Sequence, residues 1–183
     1  MLLDANMETS LFLSPRRLVT GLDRKLHSGE RLQAECDRTV RCSAFLARLL
    51  GLGVLSPSVG TAWALRDVRE YLAAAEDDAV EDAVWRCRVL AAAQPFIYAG
   101  EVLAREVKKQ EQSAKPRARL AFTGDAWREW ASGFTHAVAR AGDAGGDVER
   151  AARAAKGKMA ELWPGMLTEE ARTSGGRADE GKV

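Results

Sequence analysis

The chain is short of the residues that most sites are built from, with two histidines, two tyrosines and three cysteines in 183 residues. Cys36, Cys42 and Cys87 contain no CxxC pair, and His27 and His136 stand far apart, so zinc-ligand spacing is missing. An odd number of cysteines, all in helical segments, describes small reduced side chains in an intracellular protein rather than a disulfide framework. Long hydrophobic runs are missing too. None approaches the ~18 residues that a membrane-spanning helix needs, and Arg48 and Arg66 interrupt the best candidates. The first residues, Met1-Leu2-Leu3-Asp4-Ala5-Asn6, lack the basic start and apolar stretch of a secretion signal. Charge of one sign is absent as well. Lys and Arg number 27 against 26 for Asp and Glu, a net of +1, which removes any whole-chain attraction to nucleic acid or anionic membrane. These absences lead us to expect a cytoplasmic protein (nuclear as the other option) with no cofactor, no metal and no membrane contact.

What is there is helical periodicity from end to end. Hydrophobic residues make up 46% of the chain and charged residues 29%, the balance of a soluble domain large enough to bury its own core. After a loose leader over residues 1–13, Ser14-Pro15 forms an N-cap with proline in the first turn, and Leu18, Leu22 and Leu26 give an apolar edge. A second helix over residues 30–50 carries Leu32, Cys36, Val40, Ser43, Ala47 and Leu50 at spacings of three and four. Ser56-Pro57-Ser58 restarts the chain into a third. Asp77, Asp78 and Glu81 cap the longest element, over residues 79–112, whose stripe is Trp85, Val89, Ala92, Phe96, Leu103 and Val107. That stripe keeps its phase across Pro95, which predicts one kinked helix rather than two. Thr123 or Asp125 caps the next helix, with Trp127, Trp130, Phe134, Ala137 and Ala141 inward. The last buries Val148, Ala151, Ala155 and Met159 and ends at Trp163-Pro164-Gly165. The fold expected is all-α: a single compact orthogonal or bundle-like domain of about six helices over residues 14–165. A Gly-rich, charged tail over residues 166–183 has the composition of disorder.

Most candidate sites dissolve into this architecture. Trp127 and Trp130 could stack a ligand, but they share the stripe of Phe134 and belong to the core. His136 lies on a polar face without a partner at helical spacing. The basic stretch of Lys108, Lys109, Lys115, Arg117 and Arg119 lacks interleaved aromatics and reads as a solvated linker, leaving a nucleic-acid interface the weakest reading. The acidic run from Glu76 to Asp82 lacks the alternating ligands and central glycine of a calcium loop.

Two clusters remain. At about 100° per residue, Trp63 points roughly 170° away from Leu65, Val68 and Leu72, among Arg66, Asp67 and Glu70. On the long helix, Gln94, Tyr98, Glu101 and Arg105 fall on a face away from the apolar stripe. If the two faces oppose each other, they frame a cavity with an aromatic wall, carboxylates and guanidinium groups. The plainer reading of the same residues is a network of interhelical salt bridges with Trp63 closing a second core layer.

Three blocks then carry a resemblance. Ala62-Trp63-Ala64-Leu65-Arg66-Asp67, Ala91-Ala92-Ala93-Gln94 with Ile97-Tyr98-Ala99-Gly100-Glu101, and Trp127-Arg128-Glu129-Trp130 with Phe134 together resemble a family of uncharacterised all-helical proteins of filamentous fungi. The segments at residues 43–49 and 151–155 fit the same pattern, so the resemblance spans roughly residues 36–162. The chain departs from that pattern at Pro95, where the family tends to carry an aromatic. The resemblance implies an all-α fold, an intracellular fungal setting that includes specialised-metabolite pathways, and no catalytic residues.

The leading expectation is a non-catalytic module that binds a small organic ligand or a protein partner, with Trp63 as anchor and Arg66 positioning an acid. A homodimer burying Trp63 is compatible with it. The alternative is a cofactor-independent cyclase or isomerase in which Tyr98 or Glu101 is acid or base, Asp67 its partner and Arg66 the stabiliser of developing negative charge. Trp127→Ala and Trp130→Ala should each cost about 3–5 kcal/mol of unfolding free energy, with a smaller loss for Trp63→Ala. Equal losses at all three positions in urea titrations would make Trp63 ordinary core.

Overall fold

The computed structural model describes residues 29–75, 82–112, 123–142 and 146–168. They form six helices: α1 (Gly29–Gly51), α2 (Pro57–Ala75), α3 (Asp82–Glu111), α4 (Gly124–Ala141), α5 (Gly146–Leu162) and the single turn α6 (Pro164–Thr168). No strand occurs among the described residues. The all-α architecture and its long kinked helix are as the periodicity predicts. The helix expected from Ser14, the leader before it, the acidic residues 76–81, Lys115 to Arg119 and the tail past residue 168 lie outside the described residues.

The hub is α3, against which α1, α2 and α5 pack, while α4 packs on α5 and on α2. Between Cys87 and Phe96 every residue of α3 is buried except the half-buried Leu90. A helix buried on all faces needs small residues where neighbouring backbones come close, and Ala91, Ala92 and Ala93 supply them. Across α4 the spacing is filled differently. Phe96 of α3 lies edge-on to Trp127 and Phe134, with ring centroids 5.6 and 5.5 Å apart, and 6.0 Å from Trp130. Edge-to-face rings of this kind add to the burial of their large apolar area. The three α4 aromatics fall on one stripe at spacings of three and four, as their sequence positions require. Thr123 caps α4, its hydroxyl accepting from the amide of Ala126. On α5 the buried stripe is Val148, Ala152, Ala155 and Met159; Ala151, expected in that row, is half-buried beside it. Trp163 closes α5 through its amide to the Met159 carbonyl, and Pro164 then opens α6 as a first-turn proline does.

Pro95 has no amide to give the Ala91 carbonyl, which sits one turn earlier in a buried stretch. The hydroxyl of Ser43, reaching across from α1, donates to that oxygen at 2.8 Å. The donor that proline removes is thus replaced from the neighbouring helix. The backbone leaves helical geometry not at Pro95 but at Ala99 (φ −129°, ψ 15°). There α1 and α5 come close to α3. A side chain at Gly51 would collide with the Tyr98 carbonyl, and one at Gly100 would lie 2.9 Å from Leu162 Cδ1. Ser43→Ala should cost about 1–3 kcal/mol, the range for a buried carbonyl left without a donor. Adding Pro95→Ala restores an amide at position 95 and should shrink that loss. A double-mutant cycle by urea unfolding in which the two losses simply add would contradict the assignment.

Candidate functional site

The buried face of α2 is broader than Leu65, Val68 and Leu72 alone, because Thr61, Ala64 and Tyr71 are buried with them. That extension brings its edge to within about 80° of Trp63, and the half-buried indole packs against the main core. Its Nε1 is buried without a hydrogen-bond partner among the described residues. Glu70 is half-buried on the same helix, and the side chains of Arg66 and Asp67 lie outside the described ones.

The second expected face divides. Gln94 is buried, and its Nε2 donates to the Leu90 carbonyl one turn back at 2.8 Å. Tyr98 is exposed and belongs with α1: Arg48 donates to its hydroxyl at 2.9 Å and lies over the ring, 4.3 Å from the centroid. Glu101 and Arg105 stay together. They border a cavity of about 370 Å³ between the second half of α3 and the end of α5. Ala104 and Leu162 form its apolar lining, and Lys108 and Lys109 complete the rim.

The rim is tethered unevenly. Lys108 Nζ donates to the Leu162 carbonyl at 3.1 Å and sits 5.2 Å from the centre of the Trp163 ring. Lys109 pairs with Glu106 at 2.6 Å. Glu101 lies within electrostatic reach of Lys158, itself paired with Glu161 at 3.0 Å. Arg105 is exposed and makes no ion pair among the described residues. Lys108 and Lys109 read as part of a linker in the sequence, yet α3 runs on to Glu111. Helical spacing from Glu101 and Arg105 puts them at the same opening, a signal the sequence already carried. Leu162 has no such signal, since only the docking of α5 brings it there.

Cys36 and Cys87, from α1 and α3, share a small apolar cluster with Leu32 and Val84, and none of the three cysteines is disulfide-bonded among the described residues. Burial pushes the Cys87 thiol well above its ordinary range, and the adjacent Cys36 adds to the effect. Among the described residues no group of three or more His, Cys, Asp or Glu side chains is placed to hold a metal ion, and no helix is long and apolar enough to cross a membrane.

Fold and cleft together define an all-α domain wrapped around one buried helix, whose middle turns enclose Arg88 and Gln94 along with apolar side chains. Residues 12–164 match the model of the family described as a protein of unknown function (DUF3632), and the chain belongs to that family. The match begins ahead of α1, earlier than the blocks that carry the resemblance. No curated protein and no solved structure matches the chain.

A thiol reagent applied to the folded protein should label the half-buried Cys42 first, with Cys36 and Cys87 reacting only on unfolding. The unfolded Cys87 thiol ionises near pH 9.0 while the folded one keeps its proton. Its contribution to stability is therefore present below that pH and declines above it. Labelling of Cys87 as fast as Cys42, located by peptide mapping, would contradict the packing.

Proposed function

We propose that the chain is a non-catalytic binding module that takes a small amphipathic organic acid into the cleft between α3 and α5. The observation that carries this reading is Arg105, a guanidinium with no ion pair among the described residues at the edge of an apolar-lined cavity, with two further cations beside it. A guanidinium presents parallel donors that match a carboxylate, and Lys109 adds attraction as a point charge. Ala104 and Leu162 offer the ligand's hydrocarbon part a surface away from water. Glu101 on the same rim favours one acidic group over several, since each added negative charge on the ligand meets its carboxylate. Lys108 is already engaged by the Leu162 carbonyl and the Trp163 ring, which braces the cleft wall without occupying Arg105.

Octanoate and octanol separate charge from apolar contact. In a heteronuclear NMR titration, octanoate should shift the amides of Ala104, Arg105, Lys109 and Leu162. Octanol, and octanoate added to Arg105→Glu, should bind at least tenfold more weakly. Equal affinity for the acid and the alcohol, or shifts lying elsewhere, would overturn the proposal.

A further inference from the structure

The large hydrophobic side chains that face solvent among the described residues gather at one corner, where α1 passes into α2. Phe45 is 59% exposed, Leu52 77%, Val54 62%, Val59 45% and Tyr98 39%. Phe45 and Leu52 lie two turns apart on one face of α1, with Arg48 between them. Arg48 holds Tyr98 of α3 to the same place through its hydroxyl and its ring. Scattered apolar exposure is ordinary, whereas a gathering of this kind on an ordered surface marks a contact site.

The tip of the corner is built to leave water. Its most exposed side chains, Leu52 and Val54, flank Gly53, whose φ of 73° turns the chain. The four amides from Leu52 to Leu55 donate to the Arg48, Leu50 and Leu49 carbonyls at 2.9–3.3 Å. The hydroxyls of Ser56 and Ser58 share a hydrogen bond at 3.0 Å. Polar groups paired in this way lose little on entering an apolar medium, where an unpaired donor is costly. Beside the tip the charge is of one sign. From Arg38 to Leu65 the sequence contains no Asp or Glu, and Arg38, Arg41 and Arg48 are exposed along the face that carries Phe45 and Leu52. The nearest acids along the two helices, Asp37 and Glu101, stand one turn beyond Arg41 and Tyr98. A guanidinium has five N–H donors, so the bond to Tyr98 fixes Arg48 at the corner without exhausting it.

We infer that this corner is a shallow docking site for an anionic lipid leaflet, with Leu52 and Val54 at the acyl boundary and Arg41 and Arg48 at the phosphates. A projecting tip whose backbone is bonded internally suits a fluid leaflet, whereas a protein partner would have to supply a pocket of matching shape. The near-zero net charge gives the whole chain no general pull toward lipid, so the contact depends on this local excess of arginine. It is independent of the α3–α5 cleft.

The test sediments the full chain with vesicles of three parts phosphatidylcholine to one part phosphatidylserine, and with vesicles of phosphatidylcholine alone. Binding to the mixed vesicles should be at least tenfold tighter than to the neutral ones. Leu52→Ser combined with Val54→Ser should weaken it at least tenfold, and Arg41→Ser about fivefold. Because all three positions are exposed, the circular dichroism spectrum and the urea midpoint should stay unchanged. No binding to the mixed vesicles, or equal binding to both kinds, would overturn the inference. Binding that neither variant weakens would place the lipid contact elsewhere and overturn it as well. So would a dimer in sedimentation velocity that Leu52→Ser with Val54→Ser abolishes, in a protein that ignores both vesicles, since the corner would then belong to a second copy.

Discussion

A helix enclosed by other helices cannot leave a polar backbone group without a partner, and in α3 that constraint meets a proline. The Ala91 carbonyl, which Pro95 cannot serve, belongs to a fully buried residue. Ser43 on α1 provides the donor. The bond links the two helices at the middle of their contact, and the apolar packing of Ala47, Leu50 and the α3 alanines is organised on either side of it. Gln94 obeys the same rule within α3, turning its amide onto the Leu90 carbonyl so that a polar side chain can sit in the interior. Small side chains on α3 and α5 let backbones close in, while Phe96 and the α4 aromatics fill the wider gap on the other side. Core density is reached in both directions by different means.

Enclosure ends beyond Ala99, and the chemistry begins there. Gly51 and Gly100 mark points at which α1 and α5 press closely on α3. Past them one face of α3 opens to solvent, where Glu101, Arg105 and Lys109 are exposed. The same helix that is enclosed through its middle turns therefore carries a charged edge in its last ones. The end of α5 supplies an apolar wall through Leu162, and the Lys108 contact to that residue's carbonyl holds the wall to the rim. The cleft is a consequence of where wrapping stops, which is why it combines cations with hydrocarbon.

Much of the fold was legible from periodicity. The stripes on α1, α3 and α4 follow the buried residues because a helix buries what recurs at three and four. The exceptions are Val40 and Ala141, both half-buried, with Thr39 buried in place of Val40. The single α5 difference, Ala152 in place of Ala151, involves neighbours of equal size that periodicity separates poorly. The site was less legible. Trp63 looked opposed to its helix's core because the stripe was drawn through Leu65, Val68 and Leu72 alone, and Ala64 and Tyr71 widen it. Gln94 and Tyr98 share a helical face in sequence, yet one is interior and the other bonded to Arg48. Helical angle says which side chains are neighbours on one rod and nothing about which rods cover them.

The sequence alone determined an all-α chain, the order of the described helices and the aromatic stripe of α4, since each follows from interactions over four residues or fewer. Family membership agrees with that reading through residues 12–164. Only the tertiary structure decided that Ser43 serves Ala91, that Tyr98 belongs to α1, and that Glu101 and Arg105 face the end of α5. Those pairings join residues roughly 50 positions apart or more. They depend on how helices cross, which side-chain volumes settle together and no local window of sequence contains.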